Sequence, residues 1–170
     1  MQVPWEAQPF DTAAFTPQSG GAQGAPVVVN IRLFAPGIFT VNQSGSGQGT
    51  VTNALTGQLA APLGKYSDSH PVKRGDYISI YCTGLGPVDN PPPDGAPAPA
   101  DNLANTFVTP VVMIGAIPAK VSFSGLAPGF VGLNQVNVQV PPNAPTGDAV
   151  PLSMSDGLGS NSNVVTIAIQ

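Results

Sequence analysis

The stretch Asp76–Cys82 (DYISIYC) alternates apolar and polar residues with a period of two. Successive side chains of an extended strand point to opposite faces, so this stretch has two chemically different sides. One side consists of Ile78, Ile80 and Cys82, and the other of Tyr77, Ser79 and Tyr81. The pattern predicts a strand in an antiparallel sheet that has one face on a core and the other in water.

Two later segments repeat this alternation. Residues 135–140 (QVNVQV) place three valines on one side, and residues 164–170 (VVTIAIQ) place three β-branched residues on one side. We expect these inward side chains to be Val136, Val138, Val140, Val165, Ile167 and Ile169. Three strands with the same polarity pattern favour a two-layer arrangement in which the apolar sides face each other.

Other short apolar runs are separated by turn residues along the whole chain. The further predicted strands are Val27–Phe34, Gly37–Asn42, Thr50–Asn53, Pro110–Ile114, Ala119–Ser124 and Val150–Ser155. Glycine and proline number 20 each, and only 8% of residues are charged, which leaves little material for solvated helices. Many short strands of this kind indicate an all-β sandwich or barrel. The proline-rich segment Asp89–Ala100 is predicted to be an exposed excursion between strands.

The two ends of the chain resemble each other. Gln2-Val3-Pro4 matches Gln139-Val140-Pro141, and Ala35–Phe39 (APGIF) is similar to Ala127–Val131 (APGFV). This indicates one element that occurs twice, although chance similarity in a proline-rich chain is the alternative. We therefore divide the chain into residues 1–34, a partial repeat or strand-donating segment, and residues 35–170, the main β-sandwich.

Several motifs together resemble an uncharacterised C-terminal domain family of exported acidobacterial proteins of the Solibacter type. These motifs are QVPWE (2–6), APGIFT (35–40), GQG (47–49), KRGDYISIYCTGLGP (73–87), APGFVG (127–132), QVNVQVP (135–141) and GDAVP (147–151). More distantly, the stretch from Gly75 to Gly86 and the late Ser160–Asn163 element are similar to immunoglobulin-like domains of the TIG/IPT type. The resemblance implies an immunoglobulin-like fold, an extracellular setting and no known catalytic activity.

Charge limits the classes of partner. Five basic and nine acidic residues give a net charge of −4, so the chain offers no basic stripe for nucleic acid or for an anionic membrane surface. Neither a signal peptide nor an apolar run long enough to span a membrane is visible. A cytosolic protein and a mature exported protein are both compatible with this. The scarcity of charge favours an extracellular or cell-surface location.

Catalytic groups are sparse. The single histidine, His70, lies in the polar run Tyr66–Pro71, but a triad is assembled by the fold rather than by sequence adjacency. Glu6 is the only glutamate, so no carboxylate pair for glycoside cleavage can be nominated. An isopeptide bond would need a buried lysine beside a buried acid, and Lys120 alternates with Val121, with either the lysine or the valine on the wet side of the strand. We expect His70 to be exposed or to stabilise a turn, and the protein not to be an enzyme.

Metal and cofactor sites are also not predicted. One cysteine and one histidine do not supply a zinc site. Oxygen ligands for calcium cluster around the proline-rich segment, but their spacing is irregular and turn formation explains them better. These residues are Asp89, Asn90, Asp94, Asp101 and Asn102. We expect no cofactor and no metal.

The sequence thus leads to two functional hypotheses. The first is a structural or adhesive module whose partners are other protein domains or copies of itself, joined by strand sharing. The second is a carbohydrate-binding module, because sugar faces stack on exposed aromatic rings. The candidate binding residues are Tyr77 and Tyr81 on one strand face, with Tyr66 and Trp5. The alternative for these rings is that the N-terminal segment or the proline-rich segment covers them.

Overall fold

A computed structural model describes Trp5 and residues 12–170, and these residues form strands, turns and loops without any helix. The N-terminal strands are β1 (Thr12–Phe15), β2 (Gln18–Ser19), β3 (Ala22–Gln23) and β4 (Val27–Asn30). They are followed by β5 (Gly37–Ile38), β6 (Gly47–Gln48), β7 (Val51–Asn53), β8 (Tyr77–Thr83) and β9 (Val111–Ile114). The last are β10 (Ile117–Leu126), β11 (Asn134–Gln139), β12 (Gly147–Ser155) and β13 (Val165–Ile169). The all-β prediction is confirmed.

Nine strands form one curled sheet. Its order is β5-β8-β11-β10-β9-β12-β13-β6, and β7 also pairs with β8. Its strand pairs are antiparallel, except that β6 runs parallel to β13. Strand β10 belongs to both halves of the sheet. Its residues 120–126 pair with β11, whereas its residues 117–119 pair with β9. The sheet therefore has two arms, β7-β8-β11-β10 and β9-β12-β13-β6, which meet at β10.

The inward side chains of both arms make a single core. Ile78, Ile80 and Cys82 of β8 are fully buried, as the alternation predicted. The other predicted inward residues are also buried: Val136, Val138, Val140, Val165, Ile167 and Ile169. They pack in the same cluster as Val112, Ile114, Leu152 and Met154. Each fully buried aliphatic side chain of this kind contributes about 1.5–3 kcal/mol of transfer free energy.

Residues 47–53 close the open side of the sheet. Gly47 and Gln48 pair with Val165 and Thr166 of β13, and three residues later Val51 pairs with Ile80 of β8. Between the two pairings, the Gly49 backbone passes so near β13 that a Cβ added there would lie 2.7 Å from Val165 Cγ2. Glycine is thus required at this crossing, and the crossing joins the two arms.

The N-terminal strands stand apart from the curled sheet. β1 and β4 pair with each other over four residues, and β2 and β3 extend the same hairpin towards its tip. Among the described residues, no strand pairing joins this hairpin to the nine-stranded sheet. The predicted boundary between residues 34 and 35 falls between β4 and β5, and its meaning as a domain boundary stays a prediction.

The proline-rich segment is more ordered than the sequence indicates. The Ala98 N–H donates to the Phe130 carbonyl (2.9 Å), and the Gly129 N–H donates to the Ala98 carbonyl (2.9 Å). Ala98 is buried in a second small cluster with Val88, Ala104 and Leu126. The prediction of an exposed excursion is therefore wrong at Ala98, because backbone bonds to the 127–130 turn hold this part of the segment against apolar side chains.

Strand ends differ from the predictions where tertiary pairing decides them. β4 ends at Asn30 rather than Phe34, and β5 ends at Ile38 rather than Asn42. β10 is longer than predicted at both ends. Its extra residues pair with β9 at one end and with the start of β11 at the other, and neither partner is visible from the local pattern.

The side chain of Asn163 links the start of β13 to β5. Its Oδ1 accepts the Ile38 N–H (2.7 Å), and its Nδ2 donates to the carbonyls of Ile38 (3.0 Å) and Gly45 (2.7 Å).

We expect Asn163→Ala to destabilise the protein by about 1–3 kcal/mol, because two backbone groups of Ile38 lose their partners. A fall in the thermal midpoint of about 2–12 °C, measured by circular dichroism, would follow. Asn161→Ala is the control, since Asn161 is exposed and donates only to the nearby Gly159 carbonyl.

Cys82 lies on the inward face of β8, so the reactivity of its thiol tests the burial of that face. Burial raises the pKa of its thiol to about 12, so the reactive thiolate is negligible at pH 8. We expect a soluble disulfide reagent to leave Cys82 unmodified at pH 8 in native buffer and to modify it fully in denaturant. Rapid modification in native buffer would contradict the burial of this face.

Candidate functional site

The outward side of β8 carries the two tyrosines predicted for binding. Tyr77 keeps 50% of its surface exposed, and Tyr81 is half-buried. Ser79 lies between them and is only 6% exposed, although it faces away from the core. Ser79 therefore offers almost no surface to solvent, and the exposed area on this side of β8 belongs to the two tyrosines.

Polar side chains from the neighbouring strands surround these tyrosines. In the register of β8 and β11, Gln139 lies opposite Tyr77, Asn137 opposite Ser79 and Gln135 opposite Tyr81. Gln135 Nε2 donates to Asn137 Oδ1 (2.9 Å), and Gln139 Nε2 donates to the Gly75 carbonyl (3.1 Å). These bonds orient the amide groups along the centre of the sheet.

Two phenylalanines that the sequence did not nominate complete this surface. The Phe39 N–H donates to the Tyr81 carbonyl (3.1 Å), which places Phe39 beside Tyr81, and its side chain is 45% exposed. Phe123 lies opposite Asn137 on β10. Its ring occupies the space above Gly125, where an added Cβ would be 2.8 Å from Phe123 Cζ.

A β-bulge sets the direction of Phe123. The register of β10 and β11 shifts between the pairs Val121–Val138 and Phe123–Asn137, so Ser122 is an extra residue in the ladder. The Ser122 hydroxyl donates to the Asn137 carbonyl (3.1 Å). Because a one-residue shift reverses the side-chain alternation, the bulge turns Phe123 outward. The surface described here is called the outer face, and it comprises Phe39, Thr52, Tyr77, Ser79, Tyr81, Phe123, Gln135, Asn137 and Gln139.

The other two predicted binding residues lie elsewhere. The Trp5 indole N–H donates to the Pro92 carbonyl (2.9 Å), and its ring packs on the small cluster that contains Ala98 and Leu126. Trp5 therefore holds the proline-rich segment. Tyr66 lies in the loop after β7, where the Lys65 ammonium is 5.8 Å from its ring centroid. Of the four predicted residues, only Tyr77 and Tyr81 share a surface.

His70 belongs to a hydrogen-bonded turn. Its Nδ1 is 2.9 Å from the Pro71 carbonyl oxygen. The neighbouring Ser69 hydroxyl donates to the Pro62 carbonyl (2.8 Å), and Asp68 accepts a bond from Gln58 Nε2 (3.1 Å). The three side chains thus bond to different partners and do not form a Ser–His–Asp relay.

The carboxylates near the proline-rich segment accept hydrogen bonds from backbone N–H groups and from one side-chain amide. Asp89 accepts bonds from the Asn105 side-chain amide (3.1 Å) and the Asn105 N–H (2.8 Å), and these bonds lower the pKa of its carboxyl. Asp94 accepts the Trp5 N–H, and Asp101 accepts the Asn102 N–H. In the described part of the chain, no three His, Cys, Asp or Glu side chains are grouped as a metal site would require.

Asp156 shapes the turn between β12 and β13. Its carboxylate accepts the N–H groups of Leu158 (2.8 Å) and Ser160 (3.0 Å). The bond from Leu158 is the main cause of the lowered pKa of this carboxyl. Lys120, the residue considered for an isopeptide bond, is exposed.

No family model, curated protein or solved structure matches this chain. The described residues contain no helix that is long and apolar enough to cross a membrane.

The Asp89 bonds make a testable electrostatic prediction. Because the folded pKa lies below the ordinary value of 3.8, their contribution to stability is present above that value and is lost as the pH falls through the folded pKa. In carboxyl carbon NMR titrations, we expect the Asp89 midpoint to rise in the Asn105→Ala variant, which removes the side-chain donor. The Asp156 midpoint in the same spectra should not move, since its donors remain. A common shift of both midpoints would contradict the assignment.

Proposed function

We propose that this chain is a non-enzymatic structural or adhesive module, extracellular or at the cell surface, which is built on an immunoglobulin-like sandwich. The strand order supports the fold. An immunoglobulin sandwich of the constant type has strands A-B-E-D in one sheet and C-F-G in the other. The arm β7-β8-β11-β10 corresponds to A-B-E-D, and β9-β12-β13 corresponds to C-F-G.

The outer edges of this sandwich are already occupied. Leu59 bridges Thr52 at the β7 edge, Asn105 bridges Gly125 at the β10 edge, and Val72 bridges Ile169 beside β6 at the β13 edge. Covered edges resist uncontrolled pairing between chains. Strand sharing through the main sheet is therefore disfavoured.

The N-terminal hairpin has the opposite character. Val27 and Val28 are 58% and 67% exposed, and residues 12–30 contain no charged residue. In the described part of the chain, the outer edges of β1 and β4 have no strand partner. An isolated two-stranded hairpin is marginally stable in water and gains stability from an additional strand or layer. This exposed, uncharged hairpin is the observation that carries the proposal.

Strand pairing in the hairpin matches that of β12 and β13. The pair Ala13–Val29 corresponds to Val150–Ile167. Two positions further, Phe15–Val27 corresponds to Leu152–Val165. Gln2 precedes Ala13 by the same number of residues as Gln139 precedes Val150, which agrees with the sequence repeat. We infer that β1 and β4 are the F and G strands of a second immunoglobulin-like unit.

The two hairpins differ in what covers them. The four inward side chains of the β12–β13 pairs are buried by the opposite arm of the sheet. In the N-terminal hairpin, Val27 and Val29 are both exposed. The missing layer would be supplied by another immunoglobulin-like domain or by a second copy of the chain. The resulting contact would be adhesive by β-augmentation and face-to-face packing.

The proposal is tested by the molar mass in solution. We expect the full chain to form dimers or larger assemblies in light scattering at rising concentration. Val27→Lys/Val29→Lys should reduce the mass to that of a monomer, because two charges would be buried without partners.

Val164→Lys is the matched control, since Val164 is a valine of similar exposure immediately before β13. The control should assemble like the unmodified chain. A monomeric mass for all three proteins across the concentration range would contradict self-assembly through the hairpin.

A further inference from the structure

We infer that the outer face binds a neutral, extended polysaccharide. The face presents aromatic rings at its margins and amide groups along its centre, on the side of the sheet opposite to the core. A monomeric chain presents the same face as an assembled one, so the inference does not depend on the N-terminal hairpin.

The rings are placed to contact more than one sugar. Tyr77 and Tyr81 are four residues apart on β8, which separates their Cα atoms by about 14 Å. Phe39 is beside Tyr81, and Phe123 lies two strands from Ser79, or about 10 Å across the sheet. The spacing exceeds the width of one pyranose ring. A ligand that contacts both tyrosines is therefore an extended chain rather than a monosaccharide.

The polar groups between the rings suit sugar hydroxyls. Side-chain amides both donate and accept hydrogen bonds, as hydroxyl groups do. The central row consists of Gln135, Asn137 and Gln139, with the hydroxyl of Thr52 near it. None of the outer-face residues is charged at neutral pH. The surface therefore complements a neutral polysaccharide better than an anionic one.

The described residues that were expected to cover the tyrosines lie at another part of the fold. The proline-rich segment packs on Leu126 and Trp5, and the hairpin borders a cleft beyond the end of β8, lined by Phe15, Val29 and Gly84. Tyr77 and Phe39 remain about half exposed. Aromatic side chains that are about half exposed on one sheet face are therefore available to stack against a ligand.

Affinity electrophoresis tests the inference with named polysaccharides. The gels would contain hydroxyethylcellulose, xyloglucan, galactomannan or dextran, and polygalacturonate would serve as the anionic comparison. We expect retardation by at least one neutral polymer and weaker retardation by polygalacturonate. Equal retardation by polygalacturonate, or none by any of the neutral polymers, would overturn the inference.

Variants then locate the site. Tyr77→Ala/Tyr81→Ala should weaken the affinity for the retarding polymer by roughly tenfold or more, through loss of two stacking surfaces. Tyr66→Ala is the matched control, because it removes a tyrosine that lies off the outer face. The control should bind like the unmodified chain. If the double variant also retains full affinity, the site is not on the outer face.

Two further variants separate folding and assembly from binding. Phe39→Ala changes a ring at the margin of the face and should weaken binding while the thermal midpoint is preserved, which guards against misfolding of the double variant. Val27→Lys/Val29→Lys should bind like the unmodified chain even when it is monomeric. A failure of assembly and a failure of polysaccharide binding are thereby distinguished.

Discussion

The structure depends on the close approach of residues 47–53 to both arms of the sheet. Gly49 lies against Val165 on one side, and two residues later the Val51 side chain enters the core against β8. Gln48 is buried at the same crossing, and its Nε2 donates to the carbonyls of Gly49 and Ala60, both at 3.1 Å. The apolar interior is closed on this side because the Gly49 backbone approaches β13 closely, and its N–H donates to the Thr166 carbonyl (3.0 Å).

The strands that could be predicted from sequence are those with a clean two-residue period. For β8, β11 and β13 the alternation alone gave the inward residues, since one face of each lies in the core and the other does not. Ser79 and Ala168 are exceptions, since both are buried although they alternate with the predicted inward residues. The crossing at 47–53 could not be predicted, since β6 has only two residues and its partner is at the far end of the chain. The long β10 was also underestimated, because its ends are set by pairing rather than by composition.

Two of the four aromatic residues of the outer face could be predicted from the sequence. Tyr77 and Tyr81 follow from the alternation of one strand. Phe39 required the pairing of β5 with β8, and Phe123 required a bulge that no local pattern reveals. Trp5 was misplaced for a related reason: an aromatic ring can serve a binding face or a packing cluster, and only its contact with the proline-rich segment decides between them.

The extra residue Ser122 has a consequence for how this surface could change. If Ser122 instead paired regularly with Asn137, Phe123 would lie opposite Val136 and face the interior. The core has no room prepared for a phenyl ring, since its neighbours there are already fully buried. The bulge at Ser122 thus keeps Phe123 on the outer face. Residues of that face can therefore change without any change in the packing of the core.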